Sequence, residues 1–429
     1  MALTSRAALL VLLGLVPVVL RPAGSTVWLW VGVVVLLVAA DLVLAASPSA
    51  LALTREGARQ VRMGESVTTG LVVHNTGSRT ARGLLRDGWP PSAGSSPPRH
   101  RIAVPRGERR RVTTTLTPTR RGDRRADLVT LRLLGPLGLA ARQRSVEVPG
   151  ALRVLHPFPA RKHLPSRLAV LRELDGRAAV RTRGQGTEFD SLRDYVEGDD
   201  VRSIDWRATA RRRDLVVRTW QPEQHRRIVI VVDTGRTSAG RVGDAPRLDA
   251  AMDAALLLTA LAGHARDRVQ VIAGDRQVRA RISGTDRATL LHDVISTLAP
   301  VDPVLVETDW TALAGEIGRS THRSLVVLLT PLEPAAVEEG LLPVLPTLAA
   351  HHRVVLASVA DPALETMRTS REDSTQVWAA AAAERSSALR TAAGEAVGRL
   401  GVDVLDASPD DLPVRLADHY LALKRQGLL

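Results

Sequence analysis

The stretch "RIVIVVDTGRTSAG", Arg227–Gly240, decides the fold. Ile228–Val232 is an unbroken β-branched run that ends in a carboxylate, Asp233, followed by small and hydroxyl residues. A strand with one wet face alternates apolar and polar residues. An unbroken run is the pattern of a strand covered on both faces, as in a parallel sheet under helices. The downstream sequence supplies that cover. "RLDAAMDAALLLTALAGHARD" (247–267) predicts an amphipathic helix, and "RVQVIAG" (268–274) and "RQVRARI" (276–282) predict strands. "DRATLLHDVISTLA" (286–299) predicts a helix, "SLVVLLTPL" (324–332) a strand, and "AAVEEGLLPVLPTLAAHH" (335–352) a helix despite Pro343 and Pro346. A strand (353–361), a long helix (376–401), a last strand (402–407) and a closing helix (410–427) follow. This alternation predicts a doubly wound α/β domain over 227–429, whose ligands bind at the carboxyl ends of the strands.

Asp233 stands at such an end. An Asp at the strand tip followed by small hydroxyl residues resembles the von Willebrand factor A domain. The resemblance implies a divalent cation held by an Asp-x-Ser-x-Ser loop, a Thr from a second loop and an Asp from a third, a set of hard oxygen ligands suited to Mg²⁺ or Mn²⁺. Here Asp233 is present, Gly235 replaces the first Ser, and Thr237 stands for the second. Thr308 or Thr311, in "ETDWTAL", is the candidate second-loop Thr, and "LLTPLEP" puts Pro331 where the third-loop Asp belongs. The expectation is a degenerate metal loop of Asp233, Gly235 and Thr237 with no cofactor, Mg²⁺ included. The candidate ligands for any ion are Asp233, Thr237 and Thr308.

Upstream lies "GTEFDSLRDYVEGDDVRSIDWRATARRRDLVVRTW", 186–220, in which Glu188, Asp190, Asp194, Glu197, Asp199, Asp200 and Asp205 alternate with arginines. Interleaved charges of both signs neutralise one another. "EGDD" is a turn signal in which Asp199 or Asp200 caps a following helical turn. The first reading is a folded collar over 151–226, with a buried Asp–Arg network and Trp206 anchoring it to the α/β domain. The competing reading is a carboxylate active site of glycosidase or nuclease type within 188–205.

Residues 50–150 read as β structure. "ESVTTGLVVHNTGSRTARGLL" (65–85) and "RRRVTTTLTPTRRGDRRADLVTLRLLG" (109–135) alternate and are rich in β-branched residues, with turn clusters between them, which predicts an immunoglobulin-like sandwich. Before it come two apolar runs, Ala7–Leu20 and Val27–Ala46, the second carrying one charge, Asp41. About 20 apolar residues cross a bilayer as a helix. With Arg6 and Arg21 at the ends of the first run and Trp28 and Trp30 opening the second, residues 1–49 predict a transmembrane helical hairpin. Arg55, Arg59 and Arg62 after the hairpin, with Arg6 before it, place both termini and the bulk of the chain in the cytoplasm of a cell-membrane protein. The alternative for the first run is a signal peptide cleaved near Ala23–Ser25.

An apolar hairpin, a β module, the segment carrying Gly184, Gly186, Glu188, Phe189, Leu192, Arg193, Tyr195, Gly198, Asp199, Asp200, Arg202, Asp205, Trp206 and Arg211, and a degenerate von Willebrand A-like domain together resemble one family. It is the family known as domain of unknown function 58 (DUF58). "RRG" at 120–122 and "GPLGL" at 135–139 are similar to that family's usual end of the β module. The resemblance covers essentially the whole chain. It implies a membrane-anchored scaffold or adaptor that works with a MoxR-type AAA+ ATPase, often beside a transglutaminase-like membrane protein, in the assembly or maturation of other proteins. It carries over no catalytic residue. The alternatives are the carboxylate-dependent hydrolase and a metal-dependent adhesion-type binding protein.

Composition narrows the classes further. The 429 residues suit two or three domains. Cysteine is absent, which excludes disulfides and thiol nucleophiles and fits a reducing compartment. The net charge of +13 is uneven: residues 50–150 hold 19 Arg against 7 acidic residues, whereas 221–429 hold 22 basic against 27 acidic. The Arg excess of the β module suits anionic lipid headgroups. No nucleic-acid motif or set of stacking aromatics accompanies it, so no nucleic acid is expected. P-loop, His-Glu-x-x-His and Gly-x-Ser-x-Gly signatures are absent, and His351–His352 reads as an exposed helix end. The expectation is that the chain is not an enzyme.

Overall fold

The computed structural model describes residues 2–181, 188–197, 199–212, 214–221, 226–318 and 323–429. The chain forms two compact units, Met1–Pro157 and Phe158–Leu429.

In the first unit, helices Ser5–Leu13 and Leu15–Leu20 lead into the 21-residue helix Gly24–Leu44. At 1.5 Å per residue the latter is about 31 Å long, the thickness of a bilayer's hydrocarbon core. Among the described residues it is the one helix long and apolar enough to cross a membrane. Its side chains and those of its neighbour point outward: Trp28, Leu36 and Leu20 are exposed. Gly14 separates the two short helices. A Cβ there would lie 2.2 Å from the Trp30 ring, so glycine is what lets Trp30 approach and donate from Nε1 to the Leu10 carbonyl, 3.3 Å away.

The rest of this unit is two sheets. One runs in the order Ala2–Leu3, Ala140–Leu155, Gly122–Leu134, Ala81–Asp87, His100–Val104, with Gln60–Arg62 added parallel to Ala140–Leu155. The other is Leu51–Gly57, Val67–Asn75, Arg109–Leu116, Ser95–Ser96. Leu51, Leu71 and Val73 of the second sheet share one core cluster with Leu85, Ile102, Val129 and Leu131 of the first, so alternate residues of each sheet close a sandwich. Arg55 is not the free flanking cation that the sequence suggests. It is inside, with both Nη atoms 2.8 Å from the Asp87 carboxylate and its guanidinium 5.1 Å above the Trp89 ring.

The second unit carries a six-stranded sheet in the order Val278–Gly284, Arg268–Gly274, Arg227–Asp233, Leu325–Leu329, Arg353–Val359, Asp403–Ala407. All neighbours are parallel except the Val278–Gly284 edge. Counted along the chain this is 3-2-1-4-5-6, so the strand order reverses between Arg227–Asp233 and Leu325–Leu329. Val229, Val231, Val326 and Leu328 are buried with Trp310, Leu313, Leu345 and Val397 of the helices on one face. Ile228, Ile230 and Val232 are buried on the other, where Arg247–His264 and Leu412–Gln426 pack. Three helices absent from the sequence reading complete the unit: Leu164–Arg181, Trp310–Gly318 and Pro362–Thr369. The Pro343–Pro346 region breaks its helix, leaving Leu345–His351 as the regular part. His352 is buried, not an exposed terminus.

Candidate functional site

The reversal of strand order leaves a crevice at the carboxyl ends of the two central strands. Asp233 is the residue that fills its floor. In the parallel register Val232 is opposite Leu329, so the next residues, Asp233 and Thr330, emerge side by side. Asp233 is 1% exposed, and uncharged donors serve both carboxylate oxygens. Oδ1 accepts from the Gly235 N–H at 2.8 Å and the Thr308 hydroxyl at 2.5 Å. Oδ2 accepts from the Thr330 hydroxyl at 2.7 Å and the Thr237 hydroxyl at 3.2 Å. Burial pushes the Asp233 carboxyl above its ordinary value, and the four hydrogen bonds pull the other way.

The structure thus brings Asp233, Gly235, Thr237 and Thr308 together, and adds Thr330, which the sequence reading passed over in favour of Pro331. Thr311 is not a partner of Asp233; it opens the helix Trp310–Gly318. Gly235 has a steric reason: a Cβ there would lie 2.1 Å from the Thr308 Oγ1 and 3.1 Å from the Asp233 Oδ1. The absent side chain is what allows Thr308 to close directly onto Asp233.

Above this cluster is a cavity of about 280 Å³. Trp310, Pro331, Val337 and Leu341 form apolar wall, while Arg236, Glu307 and Glu339 supply charge. Arg236 Nε is 2.6 Å from the Glu307 Oε1, and both side chains are more than half exposed. Behind it, Thr234 donates to Asp275 at 2.8 Å, and Arg279 grips the same carboxylate through Nε at 2.8 Å and Nη2 at 3.0 Å. Burial would raise the Asp275 carboxyl, yet the Arg279 and Thr234 hydrogen bonds hold it below the ordinary value.

The 188–221 segment is an antiparallel hairpin, Glu188–Asp194 with Val216–Gln221, closed by a 3₁₀ turn Val201–Ser203 and the helix Trp206–Arg212. Each carboxylate has a local task. Asp199 takes both Nη atoms of Arg193, at 2.8 and 2.6 Å, and the Val196 N–H at 3.0 Å. Asp200 caps the 3₁₀ turn by accepting from the Arg202 N–H at 3.0 Å. Asp205 caps the helix through the Arg207 and Ala208 N–H groups, both at 3.0 Å, and pairs with the Arg218 Nε at 2.7 Å. The Arg193 hydrogen bond lowers the Asp199 carboxyl, and the Ala208 N–H, then Arg218, lower that of Asp205. Both carboxylates are therefore held ionised.

Two expectations for this segment are corrected. The Asp–Arg network is at the surface rather than buried: Arg193 and Arg218 side chains are each 45% exposed. Trp206 does not anchor the segment; it is 66% exposed, and Val196, Val201 and Leu215 of the same segment are exposed as well. The buried residues here are Val216 and Val217. A seven-residue helix with one large apolar side chain has nothing to bury that side chain against within its own hairpin. Tyr195 is half-buried and joins the strands through its N–H to the Leu215 carbonyl at 2.8 Å; Arg211 is exposed on the short helix. Gly184, Gly186 and Gly198 lie outside the described residues, and for Glu188 and Phe189 only their place on the strand is described.

Other features account for residues that motif reading left unexplained. Asp41, the one charge of the long apolar helix, is fully buried and accepts from the backbone N–H groups of Leu137, Leu139 and Ala140 at 2.7, 2.7 and 2.8 Å. The "GPLGL" loop is therefore an anion nest for the end of the helix. Gly135 is required in it, because a Cβ would lie 2.3 Å from the Asp41 Oδ1. Asp253, on the helix Arg247–His264, accepts from the Ala160 N–H at 3.1 Å. Burial raises its carboxyl to about 7, with nearby Asp410 adding to the rise.

Comparison with known proteins agrees with the family resemblance. The sequence profile of the family described as "Protein of unknown function DUF58" matches residues 191–396. No curated protein matches the chain. Among solved structures, an aerotolerance-related membrane protein from Bacteroides fragilis aligns at 14% identity over 46% of this chain and 98% of its own, with a TM-score of 0.30. The CARDB domain of the PF1109 protein from Pyrococcus furiosus, in complex with di-metal ions, aligns at 15% identity over 26% of this chain and 90% of its own, with a TM-score of 0.19. A β-glucosidase from Listeria innocua aligns at 18% identity over 23% of this chain and 16% of its own, with a TM-score of 0.15. Structural similarities at these scores carry no argument, and what remains is the profile match, which spans the Asp199–Asp205 carboxylates, the Asp233 cluster and the cavity above it: residues 191–396 carry the DUF58 family's sequence profile.

Proposed function

We propose that the protein is a membrane-anchored, non-enzymatic adaptor whose α/β unit docks a MoxR-type AAA+ ATPase, with the hairpin of residues 1–49 crossing the membrane twice and both termini in the cytoplasm. The observation that carries this reading is the closed Asp233 cluster beneath a cavity with a charged rim. A divalent cation needs hydroxyl lone pairs and a carboxylate turned toward it. Here the Thr237, Thr308 and Thr330 hydroxyls all lie within hydrogen-bonding distance of Asp233, and Gly235 offers no oxygen. With no oxygen at Gly235 and Pro331 where a third-loop carboxylate would stand, this reading takes recognition to run by direct contact rather than through a bridging ion.

The cavity offers that contact. Glu307 and Glu339 outnumber Arg236 at its rim, and Trp310, Pro331 and Val337 line its wall. A basic side chain of the partner fits it, its aliphatic stem on the apolar wall and its head taking Glu307 from Arg236. Against the hydrolase reading stand Asp199 and Asp205, whose carboxyls are both lowered by their local partners, where protonation of a leaving group needs one raised. A transglutaminase-like membrane protein enters as a further member of the assembly through the family resemblance alone.

The test is capture of the ATPase, trapped in its ATP state, on the full-length protein in neutral detergent. Binding is expected to weaken as salt shortens the Debye length from about 10 Å to about 3 Å. Glu307→Gln with Glu339→Gln is expected to weaken it further, and chelator to leave it unchanged once the ATPase's own nucleotide state is fixed. Loss of binding with chelator, matched by Asp233→Ala, would overturn the reading in favour of a working metal site.

A further inference from the structure

Four arginines surround the place where the apolar helix meets the β sandwich. Arg142 Nε donates to the Leu42 carbonyl at 3.0 Å and Arg79 Nη1 to the Val43 carbonyl at 2.5 Å, both in the last turn of the helix Gly24–Leu44. Arg132 Nη2 donates to the Leu3 carbonyl at 2.9 Å, and Arg6 Nη1 reaches the Leu137 carbonyl at 3.5 Å. Arg6 lies across Gly138, whose φ of +70° and missing side chain leave it room, 3.0 Å from where a Cβ would stand.

Part of this arrangement is local. The last carbonyls of a helix lack partners, and cations at its C-terminus suit the dipole. That explains why arginines are here but not what balances them. Among the described residues none of the four forms an ion pair. The one carboxylate in their midst, Asp41, is fully buried with its oxygens occupied by the Leu137, Leu139 and Ala140 N–H groups. Four positive charges thus border the helix end and its nest with no ion-pair partner among the described residues. A guanidinium has five N–H donors in a planar fork that matches phosphate geometry, so each keeps capacity for a second acceptor. Their level is fixed as well. The acceptors Leu42 and Val43 lie in the last turn of the long apolar helix, which is where a spanning helix leaves the hydrocarbon and enters the headgroups.

We propose that Arg6, Arg79, Arg132 and Arg142 form a binding site for the phosphate of an anionic phospholipid, in the leaflet next to the β sandwich. The site rests on the reading that Gly24–Leu44 spans the membrane. Because the Asp41 nest fixes the sandwich to the helix end, the four side chains are held at headgroup depth rather than reaching it by chance collision.

The experiment uses the full-length protein reconstituted into phosphatidylcholine vesicles doped with a minority of phosphatidylglycerol. Resistance to alkaline extraction is scored first, and then the phosphatidylglycerol that co-purifies in neutral detergent. Wild type is expected to insert and to enrich phosphatidylglycerol over the bulk ratio. Arg6→Gln with Arg79→Gln, both exposed positions, is expected to reduce that enrichment about 25-fold, or about fivefold for each charge lost at the surface. Arg6→Lys with Arg79→Lys is expected to keep most of it. Insertion without enrichment overturns the lipid site and leaves the span standing; failure to insert overturns both. If the glutamine pair also lowers the melting temperature, the lysine pair decides, since loss of enrichment in a stably folded lysine variant overturns the proposal. Enrichment abolished equally by inorganic phosphate at the same concentration as the lipid would assign the site to free phosphate and overturn the lipid as its ligand.

Discussion

The hairpin at 188–221 and the crevice at Asp233 solve the same problem, a carboxylate in a folded chain, in opposite ways. In the hairpin, Asp199 and Asp205 sit near the surface and meet arginine partners that are themselves 45% exposed. Water remains a competitor there, and such pairs contribute little. In the crevice, Asp233 is 1% exposed and meets no cation among the described residues; three hydroxyls and one N–H are its partners. Density of charge in a sequence therefore says little about where charge matters. The acid-rich stretch is the tolerant region, and the lone Asp after an apolar strand is the demanding one.

The largest expected effect tests that contrast at its centre. Asp233→Ala strands four donors in a buried site and should cost about 3 kcal/mol in chemical denaturation, while Asp233→Asn, which keeps the shape, should cost less. Gly235→Ser comes next. Its Cβ would meet Thr308 at 2.1 Å, an overpacking expected to cost about 1–3 kcal/mol. Adding Thr308→Ala should relieve much of it, so the double-mutant cycle should be non-additive; strict additivity would mean that the loop moves away and the close approach is not what requires glycine.

A third measurement concerns pH. Asp253 carries a folded-state pKa of about 7 against an ordinary 3.8, because burial disfavours its ionised form. The folded state therefore holds a proton that the unfolded chain has released. The contribution is fully present below pH 3.8 and is lost as pH rises to about 7. Melting temperature should fall across that window, and Asp253→Asn should flatten the fall. The smallest effects belong to the hairpin. Asp205→Ala should fray the Trp206–Arg212 helix with only a slight change in melting temperature, and Trp206→Ala should leave stability unchanged. A large loss from Trp206→Ala would show that its exposed ring is covered in solution, and would erase the difference between the two regions.

The alternation of strands and helices and the tip residue Asp233 are readable because a β-branched run of five, followed by turn residues, suits a strand covered on both faces. Thr237 and Thr308 followed from the resemblance to a metal loop, and the same resemblance hid Thr330. The metal-loop pattern has its third-loop carboxylate at Pro331, whereas the parallel register places the residue after Leu329 beside Asp233. Trp206 was misjudged because burial of an aromatic needs a partner surface, which local sequence does not encode. Helix Leu164–Arg181 escaped for a related reason: charged residues spaced along it mask its apolar stripe. Asp41, the one charge of the second apolar run, has its explanation in a loop 96 to 99 residues later, which no local pattern reveals.

That loop has a mechanical consequence. A carboxylate locked to three backbone N–H groups fixes not only how deep the helix sits but which way it faces, like a key in a slot. Each helical residue turns the axis by about 100°. Inserting one residue between Trp30 and Asp41 would leave the key seated yet swing Trp30 away from Leu10 and Gly14. The sandwich thereby sets the rotational phase of the apolar helix, and a turn of either one about that axis must carry the other with it.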